Sequence, residues 1–144
     1  MIAVDTNLLV YSQRQESKFF ESASACLRQL AEGDTDWAIP WPCIHEFLDV
    51  VTHPRILKPP TPLKLALEQV ESWMESPNLM VLSETSGYWE HLHEIVIAGN
   101  VSGARIHDAR IAALCSFHGV DELWSADRDF SRFPRLKFRN PLIP

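Results

Sequence analysis

The sequence predicts an α/β domain built on a mainly parallel sheet, and three observations carry that expectation. Short apolar runs of strand length, Ile2 to Val4, Trp37 to Ile39, Leu79 to Leu82 and Leu123-Trp124, alternate with longer segments of helical periodicity. Strands that alternate with helices in this way run parallel and are covered on both faces. The chain is 144 residues long, enough for one layered core and too short for two ordinary domains, so residues 1–144 are read as a single domain. Apolar residues make up 46% and charged residues 22%, a balance that excludes a disordered chain.

The first strand ends on Asp5, and Thr6, Asn7 and the run Leu8 to Tyr11 then turn into a helix. Residues 18 to 31 place Phe19, Ala23, Cys26, Leu27 and Leu30 at helical spacing, and Gly33-Asp34 is the stop signal. Pro40 and Pro42 bracket the start of the next helix, where a missing amide costs nothing. That helix carries Ile44, Glu46, Phe47, Val50 and Val51 and ends near His53-Pro54. Residues 53–62 hold four prolines and form a loop.

Leu63, Ala66, Leu67, Val70, Trp73 and Met74 follow the pattern of an amphipathic helix, which Pro77 ends. Trp89, Leu92, Ile95 and Val96 mark another, finishing before Gly99-Asn100. A last helix runs from about Arg105 to Phe117, with Ile111, Ala112, Leu114 and Cys115 inward and Gly119 closing it. No internal repeat interrupts this alternation.

An aspartate inside the only early apolar run, with no basic region before it, argues against a signal peptide. No run approaches the roughly 20 apolar residues of a membrane span. The cysteines Cys26, Cys43 and Cys115 are odd in number and scattered, as expected of free thiols in the cytoplasm. The net charge of −6 opposes binding to a phosphate backbone, but the acidity is uneven. Arg128, Arg132, Arg135, Lys137 and Arg139 face a single acid, Asp129, with Phe130, Phe133 and Phe138 between them. Such a tail can hold phosphates and stack bases, or simply anchor the end of the chain.

Four acids are placed for chemistry. In an open parallel sheet, ligands collect at the carboxyl ends of the strands. Asp5 and Asp127 both follow strands, Glu46 lies one turn into its helix, and Asp108 lies in the first turn of another. Clustered carboxylates raise one another's pKa and persist where a cation sits among them. Oxygen donors without a Cys or His pair point to Mg²⁺ or Mn²⁺, which can activate water at a phosphodiester. Each acid also has a plainer reading: Asp5 as a helix cap, Glu46 as an exposed helix acid, Asp108 as a charge at a helix N-terminus, Asp127 as a turn residue.

Taken together, IAVDTNLLVY (residues 2–11), IHEFLDVVTHPRI (44–56), HDARIAAL (107–114) and ELWSADRDFSRFP (122–134) resemble the PIN-domain family, particularly its VapC-type toxin ribonucleases. The resemblance extends to Asn140-Pro141-Leu142. It implies an α/β/α sandwich with a central, mainly parallel sheet of about four to five strands, and a metal-dependent endoribonuclease. The acids matching Asp5, Glu46, Asp108 and Asp127 would surround Mg²⁺ or Mn²⁺, with Asp129 competing with Asp127 for the fourth place. Thr6, Asn7 and Ser125 would orient the carboxylates, unless they only cap the neighbouring helix or turn.

The resemblance further implies an RNA substrate (tRNA, rRNA or mRNA), a VapB-like antitoxin whose segment enters the active-site groove, and a homodimer. Two rivals remain: a housekeeping nuclease acting on rRNA or DNA, and a catalytically silent RNA-binding or partner-binding module. A phosphatase using Asp5 as nucleophile is disfavoured, because Thr6-Asn7-Leu8 lacks the second aspartate of such enzymes. His91 and His93 sit two apart on a helix and so diverge, as surface residues. His107 is placed to touch substrate and His45 to line a groove rim, while the five tryptophans read as core or interface.

Overall fold

The computed structural model describes residues 1–144. Five strands, β1 (Ile2–Val4), β2 (Trp37–Pro40), β3 (Leu79–Leu82), β4 (Glu122–Trp124) and β5 (Phe138–Arg139), form one sheet in the order β3-β2-β1-β4-β5. Every pairing is parallel. Six helices flank it: α1 (Thr6–Gln13), α2 (Phe20–Glu32), α3 (Trp41–Thr52), α4 (Leu63–Met74), α5 (Tyr88–Gly99) and α6 (Ile106–Phe117). From β1 the chain winds outward through β2 to β3, then returns to lay β4 on the other side of β1. The strand order therefore reverses at β1, and the crevice above that reversal is where an open α/β sheet binds ligands.

Four of the strands coincide with the apolar runs of the sequence; β5 does not. It is two residues long, and Lys137 precedes it while Arg139 ends it, so no apolar run announces it. Backbone bonds make it: Leu123 N donates to Lys137 O at 2.9 Å and Ser125 N to Arg139 O at 3.0 Å. The end of the basic tail is thus an edge strand.

A core cluster of 28 buried residues joins sheet and helices, with Trp37, Phe47, Phe130 and Phe133 its largest fully buried side chains. Trp37 sends its indole N–H to Ser76 Oγ at 3.0 Å, and Phe47 meets the Trp73 ring edge-on at 4.8 Å. Trp37, Trp73 and Trp124 are core residues, whereas Trp41 and Trp89 are exposed. Cys26, Cys43 and Cys115 are free thiols. No helix is long and apolar enough to cross a membrane.

The helix ends differ in kind. Gly119, just beyond α6, has φ +68°, the left-handed position where glycine carries no penalty. Gly33 closes α2 with extended backbone instead, and its lack of a side chain serves a close approach: a Cβ there would lie 2.9 Å from Gln29 O. Asn100 caps α5 in the left-handed region, and Gly99 before it lies under the buried Phe133 ring. A Cβ on Gly99 would stand 2.8 Å from two ring carbons of Phe133. Gly99→Ala is therefore expected to destabilise the fold by about 1–3 kcal/mol, the usual cost of overpacking, read as a lower urea midpoint at unchanged slope.

Candidate active site

β1 ends in the middle of the sheet, and the next residue, Asp5, is buried with only 7% of its surface exposed. Its backbone N–H still belongs to the sheet, donating to Trp124 O at 3.0 Å. The side chain is held from four directions. Thr6 N donates at 2.8 Å, Ser125 Oγ at 2.7 Å, Asn7 Nδ2 at 3.3 Å and Cys43 Sγ at 3.5 Å. Burial nevertheless dominates and raises the Asp5 pKa from 3.8 to about 6, the hydrogen bonds opposing it and the Glu46 charge adding to it. Cys43 is itself buried, which pushes its thiol well above the ordinary value. It serves Asp5 as an S–H donor and supplies no thiolate.

The small polar residues after β1 and β4 tie the acids together. Asn7 Nδ2 also donates to Ser125 Oγ at 3.2 Å, while Asn7 Oδ1 accepts from Ala126 N at 3.1 Å. Ser125 Oγ accepts from Asp127 N at 3.0 Å, and Thr6 Oγ1 donates to Glu46 Oε2 at 3.2 Å. Asp5, Glu46 and the Asp127 loop are thus fixed by one network anchored on adjacent central strands.

Asp5, Glu46, Asp108 and Asp127 line a single cavity of about 810 Å³, together with Thr6, Asn7 and others. Asp108, Asp127 and Asp129 each bring a carboxylate oxygen into one group whose members lie within 4.8 Å of one another; Asp5 and Glu46 lie outside that group. Partial burial raises the Asp108 pKa, and the charges of Asp127 and Asp129 raise it further. Asp127 Oδ1 caps the following turn through Asp129 N at 2.8 Å, and Asp129 pairs with Arg105 at 2.9 Å. Asp127 faces the cavity and Asp129 does not line it. A half-buried excess of hard oxygen donors suits a divalent cation such as Mg²⁺ or Mn²⁺ and offers no soft ligand for a thiophilic one.

The tail residues lie elsewhere. None of Arg128, Arg132, Arg135, Lys137 and Arg139 lines the cavity. Arg135 pairs with Glu94, and Arg139 pairs with Glu122 at 3.2 Å while lying over the Trp124 ring at 5.1 Å. His45 and His107 do line the cavity. His91 bonds Ser116 Oγ at 3.0 Å, and His93 is exposed beside Trp89. Asp49 and Arg110 also line the cavity and escape a motif reading. Helical spacing could have found them: Asp49 is i+3 from Glu46, and Arg110 is i+3 from His107.

Comparison with known proteins places the chain in a family. A family model described as PIN domain matches residues 2–136. Ribonuclease VapC43 of Mycobacterium tuberculosis is 32% identical over 142 residues, covering 99% of this chain and 96% of the relative. Ribonuclease VapC48 of the same species is 29% identical over 137 residues, covering 95% and 94%. The chain therefore belongs to the PIN-domain family and, within it, to the VapC ribonucleases, which makes it a hydrolase of the nuclease class. Solved structures share the fold: VapBC2 from Rickettsia felis, bound to a DNA fragment from its promoter, has a TM-score of 0.70 at 17% identity, covering 96% of this chain and 98% of its own. The M. tuberculosis VapC20 toxin, which cleaves the sarcin-ricin loop, has a TM-score of 0.66 at 16% identity, covering 91% and 93%.

Asp5 predicts a pH signature. A carboxyl at 3.8 when unfolded and about 6 when folded binds its proton more tightly in the folded state. Its contribution to stability is complete below pH 3.8 and disappears as pH rises through 6. In chelator, wild type is expected to lose up to about 3 kcal/mol across this window relative to Asp5→Asn, on the order of 1.4 kcal/mol per pKa unit. Urea midpoints at several pH values measure it, and parallel profiles for the two proteins would contradict it.

Proposed function

We propose that this chain is a Mg²⁺- or Mn²⁺-dependent endoribonuclease toxin, acting in the cytoplasm on RNA (tRNA, rRNA or mRNA) and silenced by a VapB-like antitoxin. The observation that carries this reading is the convergence of Asp5, Glu46, Asp108 and Asp127 on one cavity in a chain similar along its whole length to VapC ribonucleases. Residues 1–144 act as a single PIN domain, in keeping with one sheet and one core cluster. Free thiols suit a reducing compartment.

Asp5, Glu46, Asp108 and Asp127 would hold the cation, with Asp129, restrained by Arg105, as a supporting acid. A bound divalent cation supplies Lewis acidity toward a phosphodiester and offsets the charge on its oxygens. Thr6, Asn7 and Ser125 hold the carboxylates in place through the bonds described above, so that no reorganisation is needed when substrate arrives. Water attacks phosphorus in line with the leaving oxygen, and no covalent enzyme intermediate forms. Cys43 is too deep and too firmly protonated to compete as a nucleophile.

The basic tail serves as the outer RNA contact. Arg128 stands between the two site aspartates, and Arg132 lies one turn further on; Lys137 adds charge, while Arg135 and Arg139 already face glutamates. The chain pairs as a homodimer, for which exposed Leu63, Leu67 and Met74, on one side of α4, supply an apolar face. The antitoxin's occupying segment enters the acidic cavity.

Cleavage of total RNA by purified protein, with Mg²⁺, with Mn²⁺ and with chelator, tests the reading. Asp5→Asn is expected to fall to background while remaining folded, and Ser125→Ala to lose about 10–100-fold, the usual effect of removing a residue that orients a metal ligand. Full activity of Asp5→Asn, or cleavage indifferent to chelator, would remove the mechanism. Replacing Arg128 and Arg132 together by Ala is expected to flatten the slope of log affinity against log salt by roughly 1.4, at about 0.7 per phosphate contact on a single strand. An unchanged slope would count against the tail.

A further inference from the structure

We propose that Trp41, His45 and Arg110 form a nucleotide subsite on the cavity rim, which stacks one unpaired base of an RNA strand and holds the phosphate beside it. The subsite rests on the ribonuclease reading of the same cavity. Trp41 is the first residue of α3 and keeps 36% of its surface exposed, unlike the core indoles of Trp37, Trp73 and Trp124. Its ring lies against that of His45 one turn on, with centroids 6.0 Å apart and planes 27° from parallel. His45 in turn lines the cavity, immediately before Glu46. An exposed, nearly parallel pair of rings beside a phosphodiester site offers the flat surface on which unpaired bases stack.

Arg110 supplies the matching charge. It is the only Lys or Arg among the residues lining the cavity, where Asp5, Glu46, Asp49, Asp108 and Asp127 otherwise repel a phosphate. Glu84, in the connection from β3 to α5, holds the Arg110 guanidinium, whose side chain remains 39% exposed. His45, on α3, and Arg110, on α6, line the same cavity, so the stacked rings and the guanidinium border one space. A guanidinium parked on a carboxylate can exchange that partner for a phosphate, which its planar fork of N–H donors can bind bidentately. A π-surface followed by a cation matches a base followed by its phosphate.

Binding separates this subsite from the chemistry. A fluorescein-labelled single-stranded RNA of mixed sequence and an abasic ribose-phosphate strand of equal length would be titrated by fluorescence anisotropy in Ca²⁺. The strands would be checked as intact on a gel after each titration. Wild type is expected to prefer the base-bearing strand. Trp41→Ala should weaken that strand by roughly ten-fold, within the usual range for one lost stacking contact, and leave the abasic strand unaffected. Trp41→Phe should retain most of the affinity, and Arg110→Ala should weaken both strands, each variant being confirmed as folded by its melting temperature.

Equal wild-type affinity for the two strands, or unchanged RNA affinity in Trp41→Ala, overturns the subsite. Cleavage in Mg²⁺ or Mn²⁺ without this binding pattern would leave the nuclease reading standing alone. The binding pattern without cleavage would leave the subsite standing and remove the nuclease reading.

Discussion

Everything in the site depends on one carboxylate being held where it least wants to be. Asp5 lies at the end of the central strand, almost fully buried, and burial alone would neutralise it. The donors around it, Thr6 N, Asn7 Nδ2, Ser125 Oγ and Cys43 Sγ, come from α1, the end of β4 and α3. They offset part of that cost and fix both oxygens in space. The remainder is left as a raised pKa, a cost that a positive charge placed beside Asp5 would relieve.

The same constraint explains why the site lies where the strand order reverses. At β1 the chain has β2 on one side and β4 on the other, so that Asp5, Ser125 and the start of α3 can meet. Helices α3 and α6 then need only begin near that meeting point to bring Glu46 and Asp108 to the cavity. The cavity gathers many acids in a chain that is already acidic. Its capacity for RNA must therefore come from a few well-placed cations and from stacking surface, because the overall field of the protein opposes the approach of a polyanion.

Much of this was legible in the residues. An acid ending an apolar run identifies Asp5, and the alternation of short apolar runs with helical periods gives the parallel sheet and the bounds of α4 and β3. What could not be read depends on backbone or on distance. β5 carries no apolar pattern, because an edge strand two residues long is defined by the carbonyls of Lys137 and Arg139 rather than by side chains. Gly33 has the composition of a left-handed stop and closes its helix by close approach instead. Cys43 reads as an ordinary core thiol until the fold sets it against Asp5. Charge counted along the tail also overstates what faces substrate, since Glu94 and Glu122 occupy two of its arginines.

The bond from Ser125 Oγ to Asp5 joins residues 120 positions apart, and Ser125 is in turn fixed through its own N–H to β5. A chain growing from the ribosome therefore carries Asp5, and later Glu46 and Asp108, long before the last acid and its supporting strand exist. The hydrogen-bonded support of Asp5 can therefore be completed only after β4 and β5 have been made. The order of residues along the chain, and not only their final arrangement, thus decides when that support can form.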